Sequence, residues 1–153
     1  MVLVVLASWS RAALAKPWNG LDPGVASVID VIGKFGEPGK RVTVKGKDVL
    51  VYSGDRALKG AVQVQFKVDP KSQTVERIDL YPEPVITSAQ IQKSYGEACA
   101  AHGPVEPCFY SRETPTKHRY FLYLKLGLAI FFKDDNETVK SFSFLPAGSS
   151  PAP

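Results

Sequence analysis

The sequence predicts an α+β fold in which two tandem helix-plus-four-stranded antiparallel units form one continuous sheet with helices on one face. Two observations favour this fold: matched helix starts recur after about 60 residues, and each is followed by matched strand hairpins. The chain has 153 residues, of which 44% are hydrophobic and 22% charged. Such a composition is typical of a compact globular domain and excludes a coiled coil or a disordered polyampholyte.

Residues 1–15 are predicted to be a signal peptide. An apolar stretch, Val2–Ala7, is followed by Ala13–Ala15, a small-x-small pattern that signal peptidase accepts. No basic residue precedes the apolar stretch and Arg11 interrupts the segment, so the alternative is a short amphipathic helix over Val2–Leu14. Elsewhere no apolar run approaches the ~18 residues that a membrane-spanning helix needs.

The first unit is predicted to cover residues 16–82 and the second residues 83–146. Capping boxes, Ser27–Asp30 and Thr87–Gln90, begin a helix in each unit, because the hydroxyl accepts from a helix N–H and the side chain three positions on reaches back. Each helix then breaks at an aromatic-Gly-Glu sequence, Phe35–Glu37 or Tyr95–Glu97. Residues 147–153, which hold only Gly, Ser, Pro and Ala, are predicted to be a disordered tail.

The strand hairpins show an alternation that assigns side chains to the two faces of the sheet. The apolar set predicted to meet the helices is Val64, Phe66, Ile78, Leu80, Ile130, Phe132, Phe142 and Phe144. The opposite set, predicted to be open, is Gln63, Gln65, Arg77, Asp79, Tyr81, Ala129, Phe131, Ser141 and Ser143. Polar residues interspersed with aromatic ones suit contact with another protein.

Cys99 and Cys108 are the only cysteines, and they bracket a loop rich in Gly and Pro. A disulfide is the simplest pairing in an oxidising compartment, and closing a loop of about ten residues stabilises the fold by about 2 to 3 kcal/mol. The alternative is two buried reduced thiols in a cytosolic protein. A zinc site would have only these two ligands and His102, so no metal is predicted.

No catalytic residues or cofactor are predicted, because no nucleophile, base and stabiliser are placed to converge. His102 and His118 are interpreted as solvated loop residues, and the acidic run Asp134–Glu137 as a hairpin turn instead of a calcium loop. The net charge is +4 and its cations are scattered, so no nucleic-acid partner is expected. Basic residues of the first unit are interpreted as a solvated edge; the alternative is a rim that steers an acidic partner.

A family resemblance adds to these predictions. Five segments of the chain resemble the pattern of the SmpA/OmlA outer-membrane assembly lipoproteins. They are the run Gly24–Ser27, the break Phe35–Pro38, Val51–Tyr52 on a strand, Val64–Phe66, and the closing strand Val75–Pro82. The tandem arrangement with a disulfide after a helix is similar to that of the β-lactamase inhibitor proteins. Those lipoproteins carry a cysteine directly after the signal peptide, whereas Lys16 follows Ala15 here, so no lipid anchor is predicted. The resemblance implies a non-enzymatic extracytoplasmic binding module.

The predicted function is therefore a periplasmic or secreted protein that docks a protein partner on the open face of its sheet. Large amphipathic side chains on rigid strands give contact area at low entropic cost, and six are predicted as partner contacts: Tyr52, Gln65, Arg77, Tyr81, Tyr123 and Phe131. One alternative is an inhibitor of a secreted hydrolase. Another is a small-molecule carrier or enzyme with a cleft between the units, where Tyr95, Tyr110 and Tyr123 would gather.

Overall fold

One antiparallel sheet of eight strands dominates the computed structural model, which describes residues 16–102 and 105–151. The predicted signal peptide, residues 1–15, lies outside the described residues. The strands are β1 (Lys40–Val44), β2 (Lys47–Ser53), β3 (Ala61–Val68), β4 (Val75–Pro82), β5 (Tyr110–Glu113), β6 (Arg119–Tyr123), β7 (Leu128–Phe132) and β8 (Val139–Phe144). Their spatial order is β1-β2-β3-β4-β8-β7-β6-β5, so β4 and β8 lie side by side at the centre.

Two helices of eight residues, α1 (Val28–Phe35) and α2 (Ser88–Tyr95), begin at the predicted capping boxes. The Asp30 N–H donates to Ser27 Oγ (3.3 Å), and the Ser27 N–H donates to the Asp30 carboxylate (2.8 Å). Thr87 and Gln90 repeat this exchange at the start of α2, with the same two distances. The two predicted helix starts are therefore confirmed.

The core lies between the helices and one face of the sheet. Val31 of α1 and Ile91 of α2 belong to the same buried cluster as strand residues from β2, β3, β4, β6, β7 and β8. All eight side chains predicted to face the helices are in this cluster or packed against it; Leu80 is the one that is partly exposed. The alternation along the strands therefore identified the core face correctly.

The predicted fold class of two tandem helix-plus-four-stranded units is wrong. β4 pairs directly with β8 through Ile78–Phe144 and Leu80–Phe142, and a single buried cluster runs across this seam. A helix of two turns covers too little apolar surface to close a core over four strands, so side chains from the whole sheet share one core. The molecule is one eight-stranded antiparallel sheet with short helices.

The predicted disulfide between Cys99 and Cys108 is confirmed, with Cα atoms 4.9 Å apart. Cys99 begins a further short helix, α3 (Cys99–His102), where a loop was predicted around His102. Backbone hydrogen bonds from Cys99 N to Phe109 O and from Phe109 N to Glu97 O, both 3.0 Å, fasten this segment to the strand that follows.

A disulfide persists in oxidising compartments, which fits an extracellular or exported protein. Within residues 16–102 and 105–151, no helix is both long enough and apolar enough to cross a membrane.

The C-terminal segment, predicted to be disordered from Ala147, is described as far as Pro151. The Gly148 N–H donates to the Leu124 carbonyl (2.9 Å), and the Ser149 N–H donates to the Pro146 carbonyl (3.0 Å). These bonds turn the chain back, and Pro151 reaches a cleft that Phe131 also lines, on the face away from the helices.

Candidate binding face of the sheet

The face of the sheet opposite the helices, called here the second face, carries the set of side chains that the sequence predicted to be open. It is only partly open. Asp79, Ala129 and Ser143 at its centre are at most 3% exposed, whereas Gln65, Arg77, Tyr81 and Phe131 are half-buried. The part of the second face that reaches solvent is therefore formed by long and aromatic side chains, and the residues beneath them are buried.

A buried carboxylate holds the centre of the second face. Asp79 on β4 accepts from Arg77 Nε (2.6 Å), from Ser143 Oγ (2.5 Å) and from Lys67 Nζ (3.2 Å). Arg77 Nη2 donates to the same Ser143 hydroxyl at 3.0 Å. Because two cations and a hydroxyl bind one carboxylate, these four side chains connect β3, β4 and β8, and the hydrogen bonds fix the direction of the Arg77 side chain.

Aromatic rings continue the second face toward β6. Phe131 stacks on Tyr120 with ring centroids 4.9 Å apart, and the Arg77 guanidinium lies 5.9 Å from the centroid of the Phe131 ring. Tyr81 lies beside them on β4; burial, with a smaller effect of the Asp79 charge, raises the pKa of its phenol. Beneath the rings, Leu122, Ala129 and Leu145 form a small apolar cluster separate from the main core.

A cleft of about 210 Å³ opens next to these rings, lined by Arg77, Tyr81, Phe131, Lys140 and the β5–β6 turn. The turn contributes His118, whose Nδ1 is 2.9 Å from Thr116 Oγ1 and whose Nε2 is 2.9 Å from Asp134 Oδ1. The Asp134 side chain is 96% exposed, so this hydrogen-bonded chain lies at the solvated rim. These hydrogen-bonded residues form a polar edge beside the aromatic rings that line the cleft.

Four of the six predicted contacts share this surface: Gln65, Arg77, Tyr81 and Phe131. The assignment of Tyr52 and Tyr123 to it was wrong, because both are buried in the core, at 0% and 1% exposure. Tyr52 pairs with the core residue Val64 and donates its hydroxyl to the Gly36 carbonyl (2.8 Å); Tyr123 donates to the Gly96 carbonyl (2.7 Å). Alternation from Leu50 would have placed Tyr52 on the core side.

The predicted tyrosine cleft between the units does not form. Tyr95 and Tyr123 pack together on the core side with ring centroids 5.8 Å apart. Tyr110 pairs with Leu122 and therefore projects from the second face, so the sheet separates it from the other two.

The sequence prediction missed Tyr120 and Lys140 as members of this surface. Tyr120 lies in the nearly continuous apolar run of β6, where no alternation distinguishes one face from the other. Lys140 borders the cleft because the register of β7 and β8 shifts beside it, between Phe131 and Phe132. A shift of this kind has no clear signal in a single sequence.

No protein-family model matches this chain, and no curated protein matches it. Among solved structures, the chain is similar to a cysteine-rich secretory protein from Staphylococcus aureus subsp. aureus Mu50, with 16% sequence identity and a TM-score of 0.37. The match covers 87% of this chain and 49% of that one, so this chain spans about half the length of the staphylococcal protein. A likeness at this level carries no functional argument, and the SmpA/OmlA resemblance stays a prediction.

Proposed function

We propose that this protein is a non-enzymatic, exported binding module that docks a protein partner on the second face of its sheet. The observation that carries the proposal is the half-buried group of Arg77, Tyr81 and Phe131 on a face of the sheet that α1 and α2 do not cover. Arginine and aromatic residues dominate binding energy at protein interfaces.

The rigidity of the surface supports the same proposal. Arg77 is held by two hydrogen bonds, to Asp79 and Ser143, and Phe131 is stacked on Tyr120. Side chains that are already fixed lose little entropy when a partner binds, so their contact area converts more fully into affinity. Export would follow from residues 1–15 acting as a signal peptide, with a periplasmic or secreted mature protein.

Site-specific cross-linking tests the proposal. A photoreactive phenylalanine analogue replaces Tyr81 or Phe131 in the full chain, expressed in its native host, and the exported fraction is irradiated. We expect both positions to capture the same protein. The matched control is Ile29, a large side chain that is 81% exposed on α1 and lies away from the second face. Equal capture from position 29 would contradict the proposal.

A binding variant provides the second part of the test. Tyr81→Ala combined with Phe131→Ala should lower the affinity for the captured partner about tenfold or more, since truncating a hot-spot residue costs about 1 kcal/mol or more. The melting temperature should change by only a few degrees, because both side chains are half-buried. Unchanged affinity would contradict the proposal. A captured hydrolase would favour the inhibitor function, and a membrane-assembly component would favour the envelope function.

A further inference from the structure

Arg77 lies where three clefts of the second face meet. The first is the cleft with Tyr81, Phe131 and Lys140 described above. The second, of about 430 Å³, is lined by Lys45, Lys47 and Lys67 together with Leu145, Pro146, Ser149 and Ser150 near the C-terminus. The third, of about 170 Å³, lies between Phe131 and Glu113. A partner segment crossing this face would therefore pass Arg77 whichever cleft it entered.

The positive charges around Arg77 are incompletely neutralised. Arg77 and Lys67 share the single carboxylate of Asp79, and Lys47 lies between Asp69 (3.2 Å) and Glu76 (2.9 Å). Among the residues that the structure describes, neither Lys45 nor Lys140 has an ion pair, and Arg77 Nη1 has no hydrogen-bond partner. Of the charged residues that line the three clefts, five are cations (Lys45, Lys47, Lys67, Arg77 and Lys140) and two are anions (Glu76 and Glu113).

We infer that the segment docked on this face is a short acidic stretch of a partner protein. Its carboxylates would pair with Arg77 and Lys140, and an apolar or aromatic side chain between them would pack on Phe131 and Tyr81. Charge-assisted pairs at the rim of an aromatic patch give orientation and speed of association as well as affinity. This inference rests on the proposed function, because it requires the second face to be the docking surface.

The charge pattern favours a short acidic segment over a long polyanion. Glu76 borders the second cleft and Glu113 borders the third, so acidic residues lie on both sides of Arg77. A nucleic-acid strand running across the face would bring its phosphates against these carboxylates, which costs free energy. A few carboxylates placed between Glu76 and Glu113 would lie beside Arg77 and Lys140 and the rings of Phe131 and Tyr81.

Peptide probes test the inference directly on the full disulfide-bonded protein. The probe is the peptide acetyl-Glu-Glu-Tyr-Glu-Glu-amide, compared with its Gln and Lys analogues and with a ten-nucleotide thymidine strand. Binding is followed by NMR shifts of backbone amides. We expect the Glu peptide alone to bind, to move the amides of Arg77, Phe131 and Ser141, and to weaken as salt rises. Equal binding of the Gln peptide, or tighter binding of the nucleotide strand, would overturn the inference.

Charge variants complete the test. Lys140→Glu should weaken binding of the Glu peptide about two- to fivefold or more, because an exposed ion pair contributes up to about 1 kcal/mol and reversal of the charge adds repulsion. Lys93→Glu, an exposed lysine on α2, is the matched control and should leave binding unchanged. Arg77→Gln should also weaken binding, and a thermal melt shows whether this variant folds. Lys140 makes no ion pair with the described residues, so the interpretation of Lys140→Glu does not depend on that melt.

The two proposals fail in different ways. If positions 81 and 131 cross-link a partner whose binding Lys140→Glu leaves unchanged, the acidic-segment inference is overturned and the proposed function stands. If neither position cross-links a protein, the proposed function itself fails.

Discussion

At the scale of single residues, two buried tyrosines stabilise the junctions between the helices and the sheet. Tyr52 and Tyr123 each donate the phenolic hydroxyl to the carbonyl of the glycine that ends a helix, Gly36 or Gly96. Burial raises the pKa of both phenols above its ordinary value. These residues were predicted as partner contacts, yet their hydroxyls are structural, because each satisfies a carbonyl at a helix end.

Removing either hydroxyl should destabilise the protein. We expect Tyr52→Phe and Tyr123→Phe each to lower the free energy of unfolding by about 1 kcal/mol, since the glycine carbonyl loses the hydrogen bond that the phenol donates. The measurement is urea unfolding followed by fluorescence. Tyr81→Phe is the control and should cost less, because the Tyr81 hydroxyl makes no hydrogen bond to the residues that the structure describes. Equal losses in all three variants would contradict this account.

At the residue scale, the sequence placed much of the candidate site on the correct face, most directly where polar and apolar residues alternate. Gln65 and Arg77 lie on strands with distinct polar and apolar positions, and they were placed on the correct face. Tyr120 and Lys140 were missed, because a continuous apolar run and a shifted register remove the period-two signal. The hydroxyl bonds of Tyr52 and Tyr123 involve residues 16 and 27 positions away, a distance at which no local pattern is informative.

At the scale of elements, two hairpin turns are each fastened by an aspartate. Asp69, between β3 and β4, accepts from the Ser72 N–H, and that bond together with the Ser72 side chain and Lys47 lowers its pKa to about 2. Asp135, between β7 and β8, has a pKa of about 2 because of hydrogen bonds from the Thr138 side chain and from the backbone N–H groups of Glu137 and Thr138. The acidic run at Asp134–Glu137 thus includes a turn-forming carboxylate.

These lowered pKa values predict how stability depends on acid. A carboxyl group with a folded pKa of about 2 and an unfolded value of about 3.9 stabilises the fold above pH 4, and this contribution is lost as pH falls from about 4 to 2. We therefore expect Asp69→Asn combined with Asp135→Asn to be less stable than the natural chain at pH 7 and to lose less between pH 4 and 2. Denaturant midpoints at pH 7, 4, 3 and 2 measure this.

The control for the acid experiment is Asp55→Asn. Asp55 is exposed, and its side chain makes no hydrogen bond to the residues that the structure describes. Its variant should follow the pH profile of the natural chain. If the double variant follows that profile as well, the turn carboxylates do not account for the acid sensitivity.

At the scale of the whole molecule, the β4–β8 seam determines the fold. Cross-strand pairs such as Leu80–Phe142 join the two halves of the sheet, and Asp79 and Ser143 bond across the same seam on the second face. Buried side chains from both halves form one cluster. The molecule should therefore behave as one cooperative unit.

Calorimetry distinguishes one unit from two. We expect a single transition whose calorimetric and van't Hoff enthalpies agree. Phe66→Ala on β3 and Phe132→Ala on β7, both fully buried, should each lower the free energy of unfolding by about 3 to 5 kcal/mol and shift that one transition without splitting it. Two transitions, with each variant moving only one, would show that the halves unfold separately.

The sequence by itself determined the local structure of this protein: the capping boxes at Ser27 and Thr87, the core face of the strands, and the disulfide partners. These features depend on residues close together in the chain or on a period of two, which a single sequence displays. Only the tertiary structure decided that β4 pairs with β8 so that the two halves share one core, and that Arg77, Lys140 and Phe131 border one cleft. Pairing between β4 and β8 joins residues more than sixty positions apart, so no pattern of neighbouring residues predicts which side chains meet there.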